Sequence, residues 1–223
     1  MQEEELNNFS IDSWRVFRIL SEFVDGFETM TDIGPSVSIF GSARTEPNNK
    51  YYRLAREVSS KIVSKGFAII TGGGLGIMEA SNMGAHISGG KSCGLSIDLP
   101  FEVRQNSYVD SKYSLNFRYF FIRKVMFMRY AKAFVVLPGG FGTLDELFEA
   151  LTLIQTKKIS SFPIYLMGTD YWSSLIDWLK NTALENVMIS SEDLGLMTLT
   201  DDPDFVADGI QKHYDKQKNI ENF

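Results

Sequence analysis

The sequence predicts an α/β protein built on one parallel sheet with helices on both faces. Short apolar runs at Val37–Phe40, Phe67–Ile70, Ala133–Leu137 and Phe162–Met167 alternate with stretches whose apolar residues fall three and four apart. The runs are mostly apolar without a clean alternation, as expected of strands covered on both sides. Three strands end in small or glycine-rich turns: Gly41-Ser42-Ala43, Gly72 to Gly76, and Gly139 to Gly142. In open α/β sheets, ligands bind at that carboxyl edge.

In chain order, Trp14, Phe17, Leu20, Val24 and Phe27 predict a helix over 12–30. Gly34-Pro35 stops it, and the first strand follows. Tyr51, Leu54, Val58 and Ile62 predict the next helix, ending at Gly66 before the second strand. A helix over about 76–88 and a strand over Ser92–Leu99 come next, then an irregular segment, 100–112. A short strand and a very apolar helix, Phe120–Ala131, precede the strand Ala133–Leu137 and a helix to about 156. After the strand Phe162–Met167, helices over about 171–183 and 203–218 close the chain; Asp201-Asp202-Pro203-Asp204 marks the start of the last. With no repeat, low-complexity stretch or linker, the expectation is an N-terminal helical extension over 1–34 and one domain over 35–223.

Composition excludes several classes of function. The 223 residues carry 22 Lys+Arg against 28 Asp+Glu, a formal charge of −6, which disfavours an electrostatic grip on nucleic acid or an anionic membrane. The single cysteine, Cys93, excludes an intrachain disulfide and fits a reducing compartment. His86 and His213 are the only histidines, too few for a metal site of several Cys or His ligands, so no metal is expected. No apolar stretch is long enough to span a membrane, and the acidic start (Glu3, Glu4, Glu5) is unlike a signal peptide. The expectation is a cytoplasmic protein.

Two glycine loops bear on ligand binding. Thr71-Gly72-Gly73-Gly74-Leu75-Gly76 lies between a strand and a helix, but Ile77 occupies the third glycine position of the dinucleotide fingerprint. Tight packing is the other account of this loop, and the less favoured one. A dinucleotide-dependent oxidoreductase is correspondingly disfavoured, with Asp98 the nearest acidic candidate for a ribose. Pro138-Gly139-Gly140-Phe141-Gly142-Thr143 is more informative. Its glycines expose main-chain N–H groups and allow φ > 0, and the helix beginning near Thr143 adds its orphan N–H groups and positive dipole end. A phosphate is the natural guest.

Glu146 follows Thr143 by three residues, the spacing of a capping box, so a purely structural role is one account of it. In a functional role it would point sideways, at whatever is attached to the phosphate, because like charges repel. Arg123 shares a helix face with Tyr119, Phe120, Met126, Phe127 and Tyr130, where a guanidinium needs an anionic partner or must snorkel. The surplus of apolar side chains around this helix predicts packing against a second subunit, making a homodimer.

At these residues the chain resembles the LOG (Lonely Guy) family. The resemblance rests on Thr71-Gly72-Gly73-Gly74 with Gly76-Ile77-Met78-Glu79-Ala80, Leu99-Pro100-Phe101-Glu102, Arg123-Lys124 and Pro138 to Glu146, and runs from about Pro35 to Trp178. It implies a Rossmann-like nucleotide-binding catalytic domain that hydrolyses the N-glycosidic bond of a nucleoside 5′-monophosphate. The substrate would be AMP or an N6-modified (cytokinin) nucleotide, the products free base and ribose 5-phosphate. Glu146 and Arg123 would be catalytic. Gly139, Gly140, Phe141, Gly142 and Thr143 would hold the phosphate, and Lys124, Glu102 and Thr152 match substrate-contacting positions. Gly73, Gly74, Met78 and Ser42 would line the pocket. No cofactor is implied. Family members are often labelled lysine decarboxylases, but no motif here points to a pyridoxal phosphate site. The chain departs from short plant-type members in its glycine loop, one residue shorter, and in its added N-terminal helix. The alternative reading is a non-catalytic nucleotide-binding or sensing protein on the same fold.

Overall fold

A computed structural model describes residues 2–99 and 105–217, with side chains from Trp14 onward. Seven parallel strands form one sheet: β1 (Ser36–Phe40), β2 (Ala68–Thr71), β3 (Ser92–Ile97), β4 (Ser114–Phe117), β5 (Ala131–Val136), β6 (Ile164–Leu166) and β7 (Met197–Leu199). Their order is β4-β3-β2-β1-β5-β6-β7. The chain winds outward from β1 through β4, then returns to lay β5 against β1, pairing Val37 with Ala133 and Phe40 with Val136. The winding direction reverses between β1 and β5, where doubly wound sheets open a ligand crevice.

The helices are α1 (Gln2–Met30), α2 (Lys50–Ser64), α3 (Ile77–Ile87), α4 (Phe120–Tyr130), α5 (Phe141–Gln155), α6 (Thr169–Trp178), α7 (Ser191–Leu194) and α8 (Pro203–Lys216). Strand alternation divides the core between the two faces of the sheet. Phe40, Ile70, Phe134 and Val136 pack with residues of α1, α4, α5 and α6. Val37, Ile39, Ile69 and Val135 pack on the opposite face with residues of α2, α3 and α8.

The expected strands and helices are present, with shifted ends. α1 begins at Gln2 rather than 12, and the helix expected over 171–183 is α6 followed by a π-helical stretch, Leu179–Leu184. Two elements were not expected from the sequence: α7 and β7. α7 is closed by a capping box between Ser190 and Asp193, and β7 pairs with β6. Asp202 caps α8 ahead of Pro203 as expected, while the neighbouring Asp201 accepts hydrogen bonds from Gly168 N and Thr169 N at the start of α6. His86 Nδ1 lies 3.9 Å from an Asp110 carboxylate oxygen. Cys93 is buried, which pushes its thiol pKa up.

Candidate active site

The loops after β1 and β5 meet at the switch point. Ser42 N donates to Pro138 O at 3.0 Å, and Ser42 O accepts from Ile77 N, tying these two loops to the start of α3. Beside them opens a cavity of about 730 Å³. Its walls include Ser42, Arg44, Gly72 and Met78 on one side, Phe120 and Arg123 from α4, and Gly139 to Leu144 with Glu146 from α5.

α5 starts two residues earlier than the sequence suggested. Gly140 is its N-cap and has no side chain to cap it, so the first turn, which lines the cavity, presents N–H groups without a side-chain cap. The expected use of φ > 0 in this loop is not observed; among the described glycines, positive φ occurs at 34, 66, 73, 76, 89 and 168. Gly139 is required instead by crowding, because a Cβ there would lie 2.1 Å from Thr143 Oγ1. Gly140 and Gly142 leave open space where a larger residue would fill the cradle.

The early start also overturns the capping-box account of Glu146. The third helical position is Thr143, and Glu146 lies in the second turn, facing the cavity rather than the helix end. It is 4% exposed, and its Oε2 has no hydrogen-bond partner among the described residues. Its Oε1 lies 4.0 Å from Arg123 Nη2. Burial pushes the Glu146 carboxyl up to about 7, although Lys124 and Arg123 pull it down; Glu149 and Asp145 push the same way as burial. A buried carboxyl poised between charged and neutral forms at a cavity wall is suited to proton transfer. The Arg123 guanidinium lies 5.2 Å from the Phe120 ring centroid and 5.8 Å from that of Phe127, held between aromatic walls.

The other sequence-expected residues divide into four groups. Ser42, Met78, Gly139, Gly140, Phe141, Gly142 and Thr143 line the cavity together with Arg123 and Glu146. Gly73 and Gly74 line a smaller adjoining cavity of about 220 Å³ with Ser96, Asp98 and Gln105. Lys124 and Thr152 are not among the described residues lining either cavity. The Lys124 ammonium sits 2.8 Å from both Asp145 and Glu149, bridging α4 to α5, and Thr152 Oγ1 donates to Phe148 O within α5. Glu102 lies outside the described residues.

Sequence reasoning missed three contributors. Tyr171 lines the cavity, and its hydroxyl donates to Gly139 O at 2.6 Å, fixing the loop from α6. Arg44 supplies a second cation at the wall; its position just past the first strand's turn was the signal available. Asn106 is buried and donates through Nδ2 to Gly73 O, Gly74 O and Asn82 Oδ1, a bond set that nothing local in the sequence announces.

A family model described as "possible lysine decarboxylase" matches residues 78–210. The chain belongs to this family, the LOG family. Two cytokinin riboside 5′-monophosphate phosphoribohydrolases of Arabidopsis thaliana are its relatives at low identity. One is 27% identical over 158 residues, covering 69% of this chain and 71% of the relative. The other is 26% identical over 159 residues, covering 70% and 72%. The fold is shared with the molybdenum cofactor carrier protein of Chlamydomonas reinhardtii, at a TM-score of 0.56 and 20% identity over 82% of this chain and 99% of that one. The family's descriptive label does not suit this cavity. A pyridoxal phosphate enzyme needs a lysine to form a Schiff base, and no lysine is among the described residues lining it.

Proposed function

We propose that this LOG-family chain hydrolyses the N-glycosidic bond of a nucleoside 5′-monophosphate, either AMP or an N6-modified adenosine 5′-monophosphate, giving free base and ribose 5-phosphate. The observation that carries the reading is Glu146: a buried, partly unpartnered carboxyl one turn from an uncapped helix N-terminus. In this reading the N–H groups of Phe141, Gly142 and Thr143 hold the 5′-phosphate, aided by the dipole of α5. The ribose then lies against Glu146.

As the bond from C1′ to the base nitrogen breaks, its electron pair leaves with the base and positive charge builds on the sugar. The Glu146 carboxylate stabilises that charge and accepts a proton from the water whose oxygen bonds to C1′. Arg123 keeps its proton throughout, so it orients Glu146 or binds anionic oxygen rather than donating to the departing base. The base takes its proton from water. We further read the protein as acting without a cofactor.

The test is incubation of the purified chain with AMP and, separately, with isopentenyladenosine monophosphate, followed by chromatography for free base. Glu146→Gln and Arg123→Ala are each expected to lower turnover by at least about 100-fold. Calorimetric binding of either nucleotide with no base released over hours would instead establish the non-catalytic alternative. Unchanged turnover in both variants would overturn the site assignment.

A further inference from the structure

Two cations stand on the wall of the cavity, Arg44 and Arg123, and their surroundings differ. The Arg123 guanidinium lies 4.0 Å from Glu146, the one acidic side chain among the described residues lining the cavity, so its charge is already answered within the site. Arg44 is exposed, and among the described residues its guanidinium makes no ion pair or hydrogen bond. Only its main-chain N–H is engaged, donating to Ser42 Oγ at 3.1 Å.

The fold sets Arg44 beside the start of α5. β1 and β5 are parallel neighbours with Phe40 opposite Val136, and Ser42 N donates to Pro138 O just beyond the strand ends. Arg44 follows Ser42 by two residues, in a turn held by the Ser42 hydroxyl, as Gly140, the N-cap of α5, follows Pro138 by two. Both line the same cavity, and so does the buried Glu146, whose unpartnered Oε2 is costly in a packed core and expected beside a ligand. Charge makes the same point. The end of a helix offers about half an elementary charge, whereas a phosphate monoester carries about 1.5 to 2 negative charges at pH 7. The amide cradle therefore leaves most of a nucleotide's charge unanswered, on a chain that is itself −6.

We propose that Arg44 grips the 5′-phosphate of the nucleotide, its fork pairing with phosphate oxygens that the first-turn N–H groups of α5 leave open, and so makes the site select a phosphorylated nucleoside over the free nucleoside. Arg123 is then reserved for Glu146. The inference deepens the hydrolytic reading and rests on it for the identity of the anion.

The test compares wild type with Arg44→Ala by calorimetric titration of ribose 5-phosphate and of adenosine, and by turnover of AMP. Ribose 5-phosphate has no base to lose, so its binding is read whether or not the chain hydrolyses anything. Arg44→Ala should weaken ribose 5-phosphate and raise KM for AMP by about 10- to 100-fold, the range for a hydrogen bond between charged groups. Adenosine affinity should not change, and kcat should stay within about twofold, because the grip acts equally on bound substrate and transition state. Arg44→Lys keeps the charge without the fork and should fall between the two; full restoration by lysine would overturn the fork geometry. Equal affinity of both proteins for ribose 5-phosphate, a parallel loss for adenosine, or a wild type that binds no ribose 5-phosphate up to about 10 mM would overturn the proposal. The two readings fail separately: base released from AMP with an unchanged KM in Arg44→Ala would sink the role of Arg44 alone. A selective loss of ribose 5-phosphate in a chain that releases no base would sink hydrolysis alone.

Discussion

Glu146 makes the stability of this chain fall as pH rises, and Glu146→Gln should remove that dependence. In the unfolded chain the carboxyl titrates at its ordinary 4.5; in the fold, burial pushes it up to about 7. Between these values the folded state holds a proton that the unfolded state has released. Stability therefore decreases with pH through this window, and the stabilisation present below about pH 4.5 is gone above about pH 7. The gap corresponds to about 3 kcal/mol in total, of which about 2 kcal/mol falls between pH 5.5 and 8.5. At about 2–4 °C per kcal/mol for a chain of this length, the wild type should lose about 4–8 °C in Tm relative to Glu146→Gln between those two pH values. Glutamine keeps the shape and cannot ionise, so comparing each protein with itself across pH cancels the general effect of the substitution. The assay is thermal unfolding followed by circular dichroism at fixed ionic strength, without nucleotide. A Tm difference independent of pH, or one that moves in favour of the wild type as pH rises, would refute the reasoning. It would mean that Arg123 and Lys124 outweigh burial and hold the group as a carboxylate.

Three further outcomes follow from the same geometry. Lys124→Met removes one cation near Glu146 and unpairs Asp145 and Glu149, with Arg123 the cation that remains, so the acid limb of the kcat/KM profile, expected near pH 7 in the wild type, should move to higher pH. An unmoved limb would separate Lys124 from the electrostatics of the site. Gly139→Ala forces a methyl group against Thr143 Oγ1, and the displaced amide cradle should raise KM for the nucleotide at least about tenfold while destabilising the chain by about 1–3 kcal/mol, read by nucleotide titration and urea unfolding. Asn106→Ala strands the Gly74 carbonyl, while Gly73 O keeps the main-chain N–H of residue 106, and should lower stability by about 1–3 kcal/mol, measured by urea unfolding.

The alternation of strands and helices was legible because it is written in local periodicity: β1, β2 and β5 are short and mostly apolar, and α2 shows its helical spacing openly. α7 had a readable signal as well, the Ser190 and Asp193 capping pair, whereas β7 is three residues long and only partly buried, too little for any period to emerge. The site was harder, since its logic depends on where α5 begins. A start near Thr143 makes Glu146 a capping residue, and a start at Phe141 turns the same carboxylate into a buried group at a cavity wall. Contacts from outside the segment hold the loop just ahead of that start: Tyr171 donates to the Gly139 carbonyl, and Ser42 N donates to Pro138 O. The same holds for α1, whose Ile19, Phe23 and Met30 pack on the core while Trp14, Phe17 and Leu20, apolar at the same spacing, stay exposed. Periodicity reports that a surface is apolar, but only packing reports which partner has already claimed it.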